Sequence, residues 1–464
     1  MRRTSAVLLG FFLFVSSLFA QSLITGQNLR KHVEILASDK FEGRRAGEPG
    51  ANAAGEYVAA EFRKIKLQPG VSGTNGKPGY KQSFSYAPVR DPHSTPDGPT
   101  STSTAPNAKQ AFNVIGILPG NDPVLRNEAI VIGAHYDHLG KGGQGSLAAN
   151  STEIHHGADD NASGTAAVIE LARQFAKKKK NKRTIIFMAF SGEEDGLFGS
   201  KYYVNNPVWP LDKTVAMINL DMVGRLKDNK LNVGGIGTAE EWRDLVERSN
   251  RTVLETSTYN IGPASSVTPT VVHQAGPEKF SLKLNEDGFG PSDHSSFYGK
   301  QIPVLFFFTG THLDYHKPTD TFEKINYEGL SSIMFFVHGI SAYLAGNLVG
   351  LPVPARPTYK TAPSSGTPGG RTGFNVSLGT IPSYADSTDG MVLDGVRDDS
   401  PASRAGLKKD DKVIKLSGSD IKNVSDYTAV LGEMKAGAEY EVVIKRGNET
   451  LTLKIVPAAA ARRP

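Results

Sequence analysis

The chain has 464 residues, 39% of them hydrophobic and 21% charged; this is a globular mixture, too long for one hydrophobic core, which stops growing near ~250–300 residues. Lys and Arg number 52 against 47 Asp and Glu, but without Arg2, Arg3, Arg462 and Arg463 at the two ends the balance is 48 to 47. That is too even for a nucleic-acid or anionic-membrane surface. There is no cysteine, which excludes disulfides, thiolate nucleophiles, Cys-ligated zinc and Cys-linked lipid.

Residues 1–20 read as a signal peptide. Arg2 and Arg3 give the positive start, the apolar stretch from Ala6 through Phe14 to Phe19 gives the core, and Ala20 offers a cleavage position before Gln21. The apolar run falls short of the ~20 residues that span a bilayer, and no later segment is long and apolar enough. The expectation is an exported protein, periplasmic or secreted, with no membrane span after cleavage.

Residues 22–68 carry helical periodicity through Leu29, Val33 and Leu36, and again through Tyr57, Val58, Phe62 and Leu67, around the loop FEGRRAGEPG. Strands follow at 112–120 and 128–138, separated by the turn Asn121-Asp122-Pro123. The pattern then alternates: a helix from Ala162 to Lys177, a strand at 183–190, a helix near 197–204, a strand at 215–223, a helix near 239–254, a strand at 302–308 and a helix near 328–346. Continuous apolar strands alternating with helices predict an α/β fold, a mostly parallel sheet with helices on both faces. Residues 349–372, rich in Pro, Gly and Ser, read as a linker. Short strands at 373–457 predict a second small α+β, β-rich domain, and 458–464 a tail.

The chemistry gathers at strand ends. His135 and Asp137 end one strand, Asp159 and Asp160 precede a helix, and Glu193 and Glu194 follow a second strand. Asp221 ends a third, and His316 lies in the loop after 302–308. Parallel strands bring their carboxyl ends side by side, so these residues can converge. Two imidazoles among several carboxylates suit zinc or a similar divalent ion. Two such ions can share a bridging carboxylate and activate a water, while a further carboxylate takes its proton.

The motifs GAHYDH, GADDNASG, FSGEEDGLFGS, INLDMVG and YHKPTDT, in this order, resemble the two-zinc exopeptidases: secreted bacterial leucyl-type aminopeptidases, glutamate carboxypeptidase and glutaminyl cyclases. The resemblance covers residues 22–348, FEGRRAGEPG included. It implies that His135 and Asp221 bind one zinc, Glu194 and His316 the other, and that Asp160, four residues before Gly164, bridges them. Manganese or cobalt are alternative metals. Asp137 would orient His135, Glu193 would be the general base and then acid, and Tyr315 would hydrogen-bond the oxyanion. His138, His155, His156 and His312 match no role and read as surface or pocket-lining residues. Ser292-Asp293-His294 lacks the G-x-S-x-G elbow of a serine hydrolase and reads as pocket wall.

The stretches VSLGTIP, GMVLDGVRDDSPASRAGLKKDDKVIKLSG and DYTAVLGEMKAG resemble a PDZ domain of exported bacterial proteases. By that resemblance Ser377–Thr380 would hold a peptide's terminal carboxylate and residues 381–384 would pair with it. The function implied is an aminopeptidase acting on peptide or protein N-termini. Its rivals are a carboxypeptidase or dipeptidase, with Arg225 as the substrate-carboxylate partner, a glutaminyl cyclase, and a non-catalytic peptide binder.

Overall fold

The structure, a computed structural model, describes residues 25–72, 77–87, 108–143, 145–148, 151–261, 267–347, 352–362, 376–382, 389–396, 400–422 and 424–459. The leader-like residues 1–20 lie outside them. Three segments are buried at every position: Ala129–His135, Thr184–Phe190 and Thr214–Leu220. Only a strand covered on both faces buries consecutive side chains in this way, and the apolar runs supply what that requires.

These strands form the middle of a nine-stranded sheet. Its order is Gln68–Pro69, Lys109–Leu118, Thr184–Phe190, Ala129–His135, Thr214–Leu220, Val304–Phe308, Lys230–Gly234 and Ser281–Leu284, with Lys81–Tyr86 also paired to Lys109–Leu118. The four strands from Thr184–Phe190 to Val304–Phe308 are mutually parallel. Outside them the pairing turns antiparallel at Lys109–Leu118 and at Lys230–Gly234, so the sheet is mixed around a parallel centre.

Alternation along each strand divides the core. Ile130, Ile132, Phe187, Ile218 and Phe307 join the helices 25–36, Pro49–Ile65, Gly164–Lys178, Trp242–Asn250 and Tyr327–Leu344 on one face. Val131, Ile186, Met188 and Met217 meet Phe198–Asn205 and His294–Tyr298 on the other. Helices thus cover both faces, as the sequence predicts. Each large apolar side chain fully buried here contributes about 1.5–3 kcal/mol.

Two elements differ from expectation. The helix expected near 239–254 ends at Asn250, and an antiparallel ribbon follows, Arg251–Ile261 with Val267–Glu278. Its run of Thr and Val favours extended backbone because a branched Cβ restricts χ1. Part of the expected linker is seated on the domain. Thr358 N–H and hydroxyl donate to Glu241, at 2.9 and 2.8 Å, and Ala362 N–H donates to the Tyr298 hydroxyl at 3.0 Å.

The carboxy-terminal unit has its own core, including Leu393, Val413, Leu416, Tyr427, Val442 and Ile444. Its short helix Pro401–Arg404 starts at Ser400, whose hydroxyl accepts from Ser403 N–H, and Val424–Glu433 is the second helix. Among the described residues Thr380–Pro382 is an edge strand, paired only with Met391–Val396; residues 383 and 384 of the proposed peptide-pairing segment lie outside the described residues.

Candidate metal centre

The parallel register sets the site. His135 pairs with Phe190, Phe307 with Leu220, so the residues that follow these strands leave the sheet along one rim. His135 is held by Thr165, whose hydroxyl donates to the His135 carbonyl at 2.7 Å. Asp160 sits in the irregular turn Ala158–Ser163 that opens the helix Gly164–Lys178. The Asp159 and Asp160 amides both donate to Asp320 Oδ2, at 2.9 and 3.1 Å. Asn161 ties this turn to the neighbouring strand end, donating to the Leu220 carbonyl at 3.0 Å and accepting from the Gly164 amide at 2.9 Å. A Cβ at Gly164 would lie 2.5 Å from the Leu220 carbonyl, so only glycine lets helix and strand approach this closely.

Glu193 and Glu194 lie in a turn whose next residue, Asp195, accepts from the Tyr86 hydroxyl at 2.8 Å and pairs with Arg45 at 3.0 Å. His316 has a left-handed backbone, φ 53°. Its Nδ1 is 2.8 Å from the Gly145 carbonyl, a contact in which Nδ1 carries the proton and leaves Nε2 as a lone-pair donor toward the site.

Five of the sequence-predicted residues converge. His135 Nε2 lies 3.4 Å from Asp160 Oδ1 and 3.3 Å from Asp221 Oδ1. His316 Nε2 lies 3.0 Å from Asp160 Oδ2 and 3.2 Å from Glu194 Oε2. Asp137 is fully buried; its carbonyl is 3.2 Å and its carboxylate 3.8 Å from His135 Nδ1, and that carboxylate accepts from the Glu193 amide at 3.3 Å. Tyr315 stacks on His316, ring centres 3.8 Å apart.

One member was missed. His138, read from the sequence as a bystander, is buried in the cluster with Nδ1 2.7 Å from Glu194 Oε1 and 3.7 Å from Asp160 Oδ2. Alternation continued past His135 would send residue 138 to the opposite side from 135. The chain instead bends where the His138 amide donates to the Arg44 carbonyl at 3.1 Å. The only local signal is the second histidine three residues after the first.

The other singled-out residues serve structure. Buried His155 bonds Ser146 Oγ at 2.8 Å and the Glu153 carbonyl at 3.0 Å. His156 pairs with Asp39 at 2.9 Å, and His312 lies 3.2 Å from Asp159. Ser292 accepts from Asn219 at 2.8 Å and His294 stacks flat on Phe306, an arrangement of pocket wall rather than of a nucleophile with its base. Arg225 is engaged by Asp314 at 2.8 Å.

The donor chemistry fits divalent cations. His135, Asp160 and Asp221 form one group, and His138, Asp160 and Glu194 a second, each with ligand atoms within 4.8 Å of one another. Burial opposes the charging of His316, yet Glu194 and Asp160 push its pKa up to about 10. Burial likewise opposes ionisation of Glu194, but His316 and His138 hold its carboxyl well below the usual range. Burial foremost, with Glu194 and Asp221 beside it, raises the proton affinity of Glu193 despite His135. A pocket that draws protons onto its imidazoles demands positive charge, which metal ions supply while leaving those imidazoles neutral. Among the described residues, buried Asp221 Oδ1, 3.3 Å from His135 Nε2, has no hydrogen-bond partner, as suits a metal ligand.

A family model for peptidase family M28 matches residues 113–340, and one for the PDZ domain matches 378–456. Over residues 113–340 the chain is thus similar to peptidase family M28. Leupeptin-inactivating enzyme 1 of Streptomyces exfoliatus is 27% identical over 267 residues, 57% of this chain and 50% of that protein. Aminopeptidase YwaD of Bacillus subtilis is 29% identical over 225 residues, 47% of this chain and 41% of its own. The chain thus spans half or less of the length of these relatives. A solved zinc aminopeptidase from Bacillus subtilis superposes with a TM-score of 0.47 at 17% identity, covering 73% of this chain and 98% of that one. The five converging residues and His138 all fall inside the M28 match.

The wall of the site also holds a carboxyl group that responds to pH. Asp293 is fully buried, and burial foremost pushes its pKa to about 6 from the ordinary 3.8. A raised carboxyl pKa means the folded state binds the proton more tightly. Its contribution to stability is therefore whole below about pH 4 and lost as pH rises through about 6, a swing of about 3 kcal/mol. Asp293→Asn is expected to raise the melting temperature of the metal-free protein near neutrality and to change it little near pH 4. An equal shift at both would contradict this.

Proposed function

We propose that the protein is an exported metallo-aminopeptidase that removes N-terminal residues from peptides, with two zinc ions held by His135, Asp160, Asp221, Glu194 and His316, and His138 beside the second. The observation that carries this reading is Asp160, whose two oxygens face different imidazoles, Oδ1 toward His135 and Oδ2 toward His316. Of the relatives, one is named a leupeptin-inactivating enzyme and one an aminopeptidase, and the second name agrees with this reading. The leader-like residues 1–20 support export.

Bound zinc would supply Lewis acidity toward the substrate carbonyl and the water. Glu193, whose environment favours proton uptake, takes the proton of the attacking water as its oxygen bonds to the carbonyl carbon. It returns that proton to the leaving nitrogen as the C–N bond breaks. Asp137 steadies this base through the Glu193 amide and steadies His135 on its other side. Tyr315, stacked on His316, is the donor for the developing oxyanion. The surrounding carboxylates attract a free α-ammonium group. Arg225, engaged by Asp314, gives a carboxypeptidase reading little support. The PDZ domain would capture a C-terminal peptide at its edge strand.

The test is hydrolysis of amino-acid anilides with free and with acetylated amino groups, before and after chelation. Activity should vanish with the chelator, return with zinc, and fall at least about a hundredfold on acetylated substrates. Equal cleavage of blocked and free substrates would overturn the aminopeptidase assignment.

A further inference from the structure

The segment FEGRRAGEPG has no part in the chemistry above, yet it is built into the supports of the site. The Gly140 amide donates to the Gly43 carbonyl at 2.8 Å, the His138 amide to the Arg44 carbonyl at 3.1 Å, and the His155 amide to the Gly140 carbonyl at 2.8 Å. The contact is main chain on main chain: a Cβ on Gly43, at φ +70°, would lie 2.4 Å from the Gly140 carbonyl.

From this seat Arg44 sends its side chain inward until none of it meets solvent. Its guanidinium donates to four carbonyls: Tyr136 at 2.8 Å, Leu36 at 2.6 Å, His156 at 2.7 Å and Gly157 at 2.7 Å. Tyr136 lies between His135 and Asp137. His156 and Gly157 lead directly into Asp159 and Asp160. One planar fork therefore spans the two segments that deliver His135 and His138 on one side and Asp160 on the other. Among the described residues no carboxylate lies within ion-pair distance of it. Burial lowers its pKa to about 10 against the pull of Asp160, Asp320, Asp137 and Glu194, so it stays charged at neutral pH.

We infer that Arg44 is a positioning residue, a clamp that holds the His135–His138 and Gly157–Asp160 segments at metal-binding separation before any ion arrives. The inference rests on the metallopeptidase reading for the ions themselves. A clamp and a mere counter-charge differ in sign. A fixed cation beside the site repels incoming cations, so a residue acting only by charge would bind zinc more tightly once neutralised. Loss of a clamp weakens binding, because support of ligand geometry is worth about 10–100-fold in metal affinity. Lysine keeps the charge but cannot reproduce the fork.

The experiment measures zinc affinity of the full chain by competition with a chromophoric chelator, for the wild type, Arg44→Lys and Arg44→Gln. Both variants should bind about 10–100-fold more weakly, with a changed visible spectrum when cobalt replaces zinc and with kcat lowered more than KM. Tighter or unchanged binding by the folded Arg44→Gln protein would overturn the clamp. A variant that fails to fold leaves the wild type to decide by hydrogen exchange without metal. Amides of 138–140 and 155–160 should already be protected, and protection that comes only with zinc would overturn the inference. A wild type that binds no zinc would instead sink the proposed function, whereas equal binding by all three proteins would sink the clamp and leave that function standing.

Discussion

Glu193→Gln is expected to keep its metal and lose turnover by about 10²–10⁴-fold, or about 3–5 kcal/mol of barrier. Glutamine fills the same volume and preserves the turn, since the Asp137 carboxylate grips the residue 193 amide rather than its side chain. The neighbouring contacts of Glu194 with His138 at 2.7 Å and His316 at 3.2 Å are untouched. What disappears is the capacity to take a proton and return it. The measurement is kcat on an amino-acid anilide alongside bound metal per chain. Metal retained with turnover intact would remove Glu193 from its proposed role, and metal lost would make it a ligand instead.

The position of the two adjacent glutamates at the rim was readable because it needs only local information, a strand end and a turn, while their separate roles are implied by the resemblance alone. The same holds for His135 and Asp221, which stop continuous apolar runs where the chain meets the rim. The middle of the sheet was legible for that reason, and its mixed edges were not. Lys230–Gly234 and Ser281–Leu284 are half exposed and carry no continuous apolar run, and their polar–apolar alternation lasts only four or five residues. His138 and Arg44 escaped on other grounds. Their positions depend on hydrogen bonds between segments about a hundred residues apart, such as Arg44 to Tyr136 and Gly157. A bond of that kind imposes no period on either segment. Asp320 belongs with them: only the folded chain brings its carboxylate to the Asp159 and Asp160 amides. Motif resemblance could point to the candidate ligands and to Asp137, but not to Arg44 or Asp320.

Asp160→Asn is expected to disturb both metal positions at once, where Asp221→Asn should disturb only the His135 side. Each Asp160 oxygen faces its own partner, Oδ1 toward His135 at 3.4 Å and Oδ2 toward His316 at 3.0 Å. An amide replaces one oxygen by a donor that repels a cation, and it removes the negative charge two ions would share. The fold should tolerate this. The turn is fixed by main-chain amides on Asp320 and by the Asn161 side chain, not by the Asp160 carboxylate. In the metal-free state the substitution removes the negative charge that faces the His316 and His135 imidazoles, so the apo protein should still fold but melt somewhat earlier than the wild type. After dialysis, zinc per chain should fall from two to at most one, and turnover by about a thousandfold or more. Two zincs retained at near wild-type affinity would show that Asp160 bridges nothing, and the shared-carboxylate centre would have to be abandoned for two independent sites.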